Sequence, residues 1–191
     1  MMNLRRLQLV SMLVLIVALS ACGTNQFTES TEMSEEYSAE NQVLYELFGT
    51  KLIDVEESVI SPAELEGKII GVFFSAEWCP PCRSFSPVLV DVYNELQATD
   101  KPFEVVFVSA DNSAREQMSY MQDYNMPWKA VPFNSPSRME LPRRFDVRGV
   151  PTLIILDSDG EIITANGRGY ISGYGAAAFD AWDPEHSNES R

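Results

Sequence analysis

The chain has 191 residues, 45% of them apolar and 22% charged, which suits one globular domain with a real core. Acids outnumber bases 28 to 14, for a net charge of −14, so phosphate backbones are repelled and nucleic acid is excluded as an expected partner. Three cysteines are too few for a disulfide framework, and the single histidine, His186, leaves no His cluster for a metal and no His-based triad in the folded part.

In chain order, residues 1–21 read as an export signal: Arg5 and Arg6 precede an apolar run from Leu9 to Leu19. That run has 11 residues. A helix needs about 20 to cross a bilayer, so the run is a signal core and not a lasting span. Leu19-Ser20-Ala21-Cys22 then resembles the bacterial lipobox, in which the cysteine is lipidated and becomes the first mature residue. The resemblance implies lipidation at Cys22 and anchoring to the periplasmic side of the cell envelope without spanning it. Gly23 stands where an Asp would signal inner-membrane retention, which tips the expectation towards the outer membrane. Residues 22–42 are expected to be an acidic flexible tether, since they hold Glu29, Glu32, Glu35, Glu36 and Glu40, no base and little to bury. The folded domain is expected over 43–182, followed by a polar tail over 183–191.

Within the domain, Ser61-Pro62-Ala63-Glu64 has the form of a helix start, with Pro at the first helical position. Lys68–Ser75, Phe103–Ser109 and Thr152–Leu156 are short runs of β-branched and aromatic residues, which predict strands buried on both faces. Phe85, Leu89, Val92 and Leu96 fall on one helical stripe after Cys79. Ser113-Ala114-Arg115-Glu116 is a capping box opening a helix towards Asn125, with Pro127 beyond it. Asp159-Gly160 offers a tight turn into Glu161–Thr164, predicting a terminal hairpin. Gly167-Arg168-Gly169 is expected to be a flexible turn, and Arg138, Arg143, Arg144 and Arg148 a solvated helix face. This alternation predicts an α/β domain whose central sheet is covered by helices on both faces.

The chemistry lies in Trp78-Cys79-Pro80-Pro81-Cys82, between a buried strand and a helix. A cysteine at a helix N-terminus sits beside unsatisfied N–H groups and the positive end of the dipole, and both favour the attacking thiolate. Cys79 is therefore the expected nucleophile. Cys82, one turn on, is the expected resolving thiol that attacks the mixed disulfide. Pro80 and Pro81 carry no N–H, so only Cys82 and later residues can donate to the Cys79 sulfur from this loop. Fewer donors mean a less stabilised thiolate and a less oxidising couple, which favours a reductase. Other uses of the pair fit less well. A structural zinc wants four ligands, attached haem wants His where Arg83 stands, and a staple closing so small a ring gains little. The Thr-x-x-Cys arrangement of peroxiredoxin-type peroxidases is absent. No metal and no cofactor beyond the dithiol itself is expected.

From Val43 to Trp182 the chain resembles the thioredoxin superfamily, in particular its tryparedoxin and nucleoredoxin branch. Carrying the resemblance are Gly67-Lys68, Ser75-Ala76, the WCPPC with Arg83, Phe85 and Pro87, and Val108-Ser109-Ala110-Asp111. Met126-Pro127-Trp128-Lys129-Ala130-Val131-Pro132-Phe133, Phe145 with Gly149-Val150-Pro151-Thr152, and Phe179 with Trp182 complete it. The resemblance implies a thioredoxin-like three-layer sandwich around a mixed sheet, and a cis peptide before Pro151 that turns the Val150 backbone towards the cysteines. Trp78, Pro80, Pro81, Val150 and Pro151 would then meet the substrate, and Pro87 would kink the active-site helix. Trp128 would lie near the site or in the core. The chain departs from thioredoxins proper at Phe73, where they carry a buried acid, so the proton acceptor for Cys82 is unassigned. Glu77 is read as a solvated surface acid.

The expectation is a membrane-tethered thiol–disulfide oxidoreductase that reduces disulfides in exported proteins. No nucleotide-binding motif is visible, so electrons would come from a membrane thiol reductase. The alternatives are an oxidase that installs disulfides and a carrier in which Cys79 and Cys82 hold Cu(I) without Met or His nearby.

Overall fold

The structure, a computed structural model, describes residues 39–183. The export signal, Cys22, most of the tether, and the tail with His186 lie outside the described residues.

The described chain builds an α/β fold around one mixed sheet. Its strands are β1 (Leu52–Ile53), β2 (Val59–Ile60), β3 (Ile69–Ser75), β4 (Phe103–Ser109), β5 (Lys129–Ala130), β6 (Thr152–Leu156) and β7 (Ile162–Thr164). They lie in the order β2-β1-β5-β4-β3-β6-β7. β3 and β4 pair in parallel along their whole length, from Ile69 opposite Phe103 to Ser75 opposite Ser109. β6 runs antiparallel on the other side of β3 and forms the predicted hairpin with β7. The helices are α1 (Ala39–Phe48), α2 (Pro80–Ala98), α3 (Ala114–Asp123), α4 (Pro136–Arg144) and α5 (Gly167–Tyr174).

Because successive side chains on a strand point to opposite faces, the central strands divide their residues between two cores. Phe73, Val105, Phe107, Leu153 and Ile155 pack with Phe85, Leu89, Val92 and Leu96 of α2, Tyr120 and Met121 of α3, and Ile171 of α5. Val72, Phe74, Val106, Val108, Ile154 and Leu156 pack with Leu44, Leu47 and Phe48 of α1 and Leu141 of α4. The sheet is thus covered on both faces, and each fully buried large side chain contributes about 1.5–3 kcal/mol by leaving water. Trp128 is a core residue, 1% exposed and edge-on to Phe73 at 6.1 Å between ring centroids.

Four local expectations need revision. Ser61 does cap a turn, accepting the Ala63 N–H at 3.2 Å, but the segment is a four-residue 3-10 helix (Pro62–Leu65) and not an α-helix. Gly67, at φ +70°, ends it by turning the chain into β3. Gly167-Arg168-Gly169 is the first turn of α5. A Cβ at Gly167 would lie 2.8 Å from the Leu153 carbonyl and 2.9 Å from Ile155, so glycine there permits the helix to rest on β6. Arg138 is no solvated charge: it donates to the Phe133 and Ser109 carbonyls at 2.7 and 3.2 Å and stacks 4.0 Å over the Phe133 ring. Finally, α1 starts at Ala39, inside the stretch read as tether, and supplies Leu44, Leu47 and Phe48 to the core.

One charge is buried where the pattern predicts only apolar strand. Glu104 of β4 is 3% exposed and is held by Lys129 at 2.8 Å, Lys68 at 3.6 Å and the Tyr93 hydroxyl at 2.9 Å. Two cations and a donor satisfy the carboxylate that burial strips of water.

Candidate functional site

At its C-terminal end, β3 feeds through Ala76, Glu77 and Trp78 into α2, whose N-cap is Cys79. Cys79 has extended backbone (φ −94°, ψ 111°), and Pro80 and Pro81 occupy the first two helical positions. Proline suits those positions because their N–H groups have no partner inside the helix. The helix then continues through Pro87 to Ala98.

The two sulfurs sit in different surroundings. Cys79 is 4% exposed, and its thiol donates to the Val150 carbonyl at 3.6 Å. Cys82 is fully buried, and both cysteines are free thiols. Burial and a hydrogen bond given by the Cys82 thiol to Cys79 push that thiol up to about 11, while the Ser75 hydroxyl and the Ala76 backbone pull it back down. The Val150–Pro151 peptide is cis, which brings the Val150 carbonyl against the cysteine pair. Pro151 itself is buried, Val150 half-buried, and Pro80 and Pro81 exposed.

Trp78 is 58% exposed and anchored at one end, its indole N–H donating to the Ala110 carbonyl at 3.2 Å. With Ala110, Pro142, Val147 and Val150 it lines a largely apolar groove of about 420 Å³ beside the cysteines, with Arg148 at the rim. The structure therefore brings together Trp78, Cys79, Cys82, Val150 and Pro151, although the last two are some seventy residues away in the chain.

Two groups of residues at the site were given no role by sequence reasoning, although Ser75, Ser109 and Asp111 are among those that carry the family resemblance. Asp111, 5% exposed, accepts the Glu77 N–H at 2.8 Å and the Ser109 hydroxyl at 2.7 Å, tying the segment before Cys79 to the end of β4. Burial raises its carboxyl above the ordinary carboxylate value. The second group lies beneath Cys82, where the hydroxyls of Ser75, Tyr120 and Ser86 form a buried chain. Ser75 Oγ and Tyr120 OH are 3.0 Å apart, Tyr120 OH and Ser86 Oγ 2.6 Å, and Ser86 donates to the Cys82 carbonyl at 3.1 Å. Ser109-x-Asp111 is a weak side-chain turn signal. Nothing in the sequence pairs Ser75 with a tyrosine 45 residues later. Phe73 is packed among Phe85, Phe107 and Trp128, so no acid acts from that position. Among the described residues, no group of three or more His, Cys, Asp or Glu could hold a metal ion.

A helix capped by one thiol, with a second thiol buried one turn on and a cis-proline loop facing both, defines the thioredoxin class of redox site. The chain belongs to the thioredoxin-like family, whose sequence pattern matches residues 67–162. It is similar to nucleoredoxin from Danio rerio, with 45% identity over 121 residues, covering 63% of this chain and 28% of that one. Among solved structures it is similar to tryparedoxin II from C. fasciculata, with 38% identity and a TM-score of 0.66, covering 72% of this chain and 92% of that one. It is also similar to a thioredoxin from Wuchereria bancrofti, with 37% identity and a TM-score of 0.62, covering 71% of this chain and 95% of that one. The chain spans under a third of the length of the curated nucleoredoxins from Danio rerio and Arabidopsis thaliana that it matches.

Proposed function

We propose that this thioredoxin-like protein is a lipid-anchored thiol–disulfide oxidoreductase of the bacterial cell envelope. It would reduce disulfides in exported proteins with electrons from a membrane thiol reductase. The observation that carries the chemistry is the asymmetric pair: Cys79 caps α2 at the protein edge against the Val150 carbonyl, and Cys82 waits fully buried behind it. The envelope location and the lipid anchor rest on the N-terminal sequence, from Arg5 and Arg6 to Cys22.

In this reaction the Cys79 thiolate attacks one sulfur of a substrate disulfide. The Cys79–substrate bond forms, the substrate S–S bond breaks, and the departing sulfur takes up a proton. Cys82 then attacks the Cys79 sulfur, closing the Cys79–Cys82 disulfide and releasing the second substrate thiol. Two electrons pass from the protein pair to the substrate. An extended substrate segment docks over Trp78, Pro80, Pro81 and the Val150–Pro151 turn, with its apolar side chains in the groove between Trp78 and Val147.

The test is a Cys82→Ser variant expressed in its host. It should accumulate mixed disulfides through Cys79 with exported proteins, and these should vanish when Cys79 is also replaced. A trap that stays empty overturns the exchange reading. Radiolabelled palmitate that enters the parent chain as readily as a Cys22→Ala variant overturns the anchor.

A further inference from the structure

Resting on the exchange chemistry above, we infer that Arg138 of α4 is a positioning residue that holds the groove wall on which Trp78 is anchored. Its guanidinium stands in for a missing rung at the end of the central sheet, where that sheet borders the substrate groove.

In a parallel pair, alternate residues turn their backbone N–H and C=O groups towards the same neighbouring strand. On the β5 side of β4, the Phe107 carbonyl accepts the Val131 N–H at 2.9 Å. The next β4 carbonyl on that side belongs to Ser109, and in the same register its partner would be the Phe133 N–H. That rung does not form. β5 ends at Ala130, and Pro132 opens a turn in which its carbonyl accepts the Ser135 N–H at 2.8 Å. Arg138 fills the place: Nη1 donates to the Ser109 carbonyl at 3.2 Å and Nε to the Phe133 carbonyl at 2.7 Å. The guanidinium also lies over the Phe133 ring, 4.0 Å from its centre. One planar fork thus joins the two residues that a further rung would have paired.

What the fork fixes is the stretch from Ser109 to Asp111. The Ser109–Ala110 peptide is gripped at both ends, its carbonyl by Arg138 and its N–H by the Ser75 carbonyl at 2.9 Å. The next carbonyl, that of Ala110, accepts the Trp78 indole N–H at 3.2 Å. Ser109, Ala110 and Trp78 all line the groove beside Cys79, and so does Pro142, one helical turn after Arg138 on the same face of α4. Without the fork the Ser109–Ala110 peptide is free to rotate, the Ala110 carbonyl leaves the indole, and a substrate meets a looser groove. Cys79 keeps its own bond to the Val150 carbonyl throughout. Arg138 therefore acts on docking, through Trp78, and not on the sulfurs.

The test uses Arg138→Met, which keeps an apolar stem against Phe133 and deletes the donors. It is paired with Arg138→Lys, which keeps the charge but cannot serve both carbonyls while stacked on the ring. Each protein, kept reduced by dithiothreitol, is given insulin as a protein disulfide or hydroxyethyl disulfide, which is too small to fill the groove. With Arg138→Met, KM for insulin should rise about fivefold, the scale of one modest hydrogen bond, while kcat stays within about twofold. The rate with hydroxyethyl disulfide should also stay within about twofold, and Arg138→Lys should fall between parent and Met variant for insulin. Acrylamide quenching of tryptophan emission gives an independent reading, because Trp128 and Trp182 are buried and Trp78 is exposed. Quenching should increase in the order parent, Lys variant, Met variant as the indole loses its anchor.

An unchanged insulin KM in folded Arg138→Met overturns the proposal. So does an equal loss of rate with both disulfides, since the guanidinium would then support the fold or the sulfurs at large. Should Arg138→Met fail to fold, the Lys variant decides: a parent-like KM and parent-like quenching would show that charge alone suffices, and the fork has no role. A parent protein that reduces neither disulfide refutes the exchange reading itself, while the quenching order still tests the clamp.

Discussion

Asp111 fixes the approach to the candidate nucleophile, and its removal should be felt first as stability. Asp111→Ala deletes two acceptors, one for the Glu77 N–H at 2.8 Å and one for the Ser109 hydroxyl at 2.7 Å. Hydrogen bonds to a charged group are worth about 1.5–3 kcal/mol each, and the Glu77 amide would lose its partner. Against this stands the cost of keeping a carboxylate out of water, which is what raises its folded-state value above the ordinary 3.8. The net loss should be about 2–3 kcal/mol. Asp111→Asn keeps an amide oxygen for the Glu77 N–H and removes the buried charge, so it should cost under about 1 kcal/mol. The sign with pH is fixed by the same shift. A raised folded-state carboxyl stabilises the fold fully below its unfolded value, and that contribution is lost as pH rises through the folded value. The Asn variant lacks this loss, so its stability relative to the parent should improve across that interval. Urea unfolding of parent, Asn and Ala proteins at several pH values measures all three quantities. An Asn variant as damaged as the Ala variant at every pH would refute the reasoning, because the charge and not the acceptor geometry would then hold the segment.

Two further outcomes follow from the cysteine pair. Cys82 is raised from 9.0 to about 11 in the fold, so its contribution to stability is complete below pH 9 and is lost as pH rises through about 11. Those two pH units correspond to at most about 3 kcal/mol. The stability advantage of the reduced parent over Cys82→Ala should therefore shrink between pH 8 and pH 10.5 in urea titrations, and an unchanged gap would contradict it. Pro81→Ala restores an N–H at the second helical position, giving the Cys79 sulfur one more donor in the reduced form. Its potential against glutathione should rise by about 20–50 mV, equivalent to one modest hydrogen bond, and a fall or no change would remove the argument that the two prolines favour a reducing couple.

The long central strands were legible because burial on both faces leaves an uninterrupted β-branched and aromatic run. Phe103–Ser109 and Thr152–Leu156 are observed with the predicted bounds, and the first strand begins one residue later than predicted, at Ile69. β1, β2 and β5 have two residues each, too few for any period to register. The helix opened by Ser113 was legible from its cap, which accepts the Glu116 N–H at 3.2 Å, but the reciprocal bond goes elsewhere, from the Asn112 N–H to the Glu116 carboxylate at 2.9 Å. Trp78 through Cys82 announced themselves because motif and helix start coincide. Asp111, Ser75, Tyr120 and Ser86 did not, because each acts across the fold: Ser75 ends a strand, Ser86 lies inside α2, and Tyr120 faces inward from α3. Their polarity reads from sequence as a defect in an apolar pattern, and only the tertiary structure shows that the defects satisfy one another.

That mutual satisfaction bears on how the pair divides its labour in the proposed exchange. Cys79 retains contact with solvent and Cys82 has none, so an incoming disulfide can reach only the first sulfur. The second must act from inside the protein, where a bare thiolate is costly and bulk water cannot carry its proton away. A single carboxylate could serve such a sulfur, yet it would bring its own charge into the same dry space. The hydroxyls of Ser75, Tyr120 and Ser86 bring none, and they satisfy one another and the Cys82 carbonyl. The cost of placing polar atoms in the core is met by their bonds to one another. Burial, more than those bonds, holds the Cys82 thiol in its protonated form, so that in the proposed exchange it would give up its proton only when a mixed disulfide presents an electrophilic sulfur beside it.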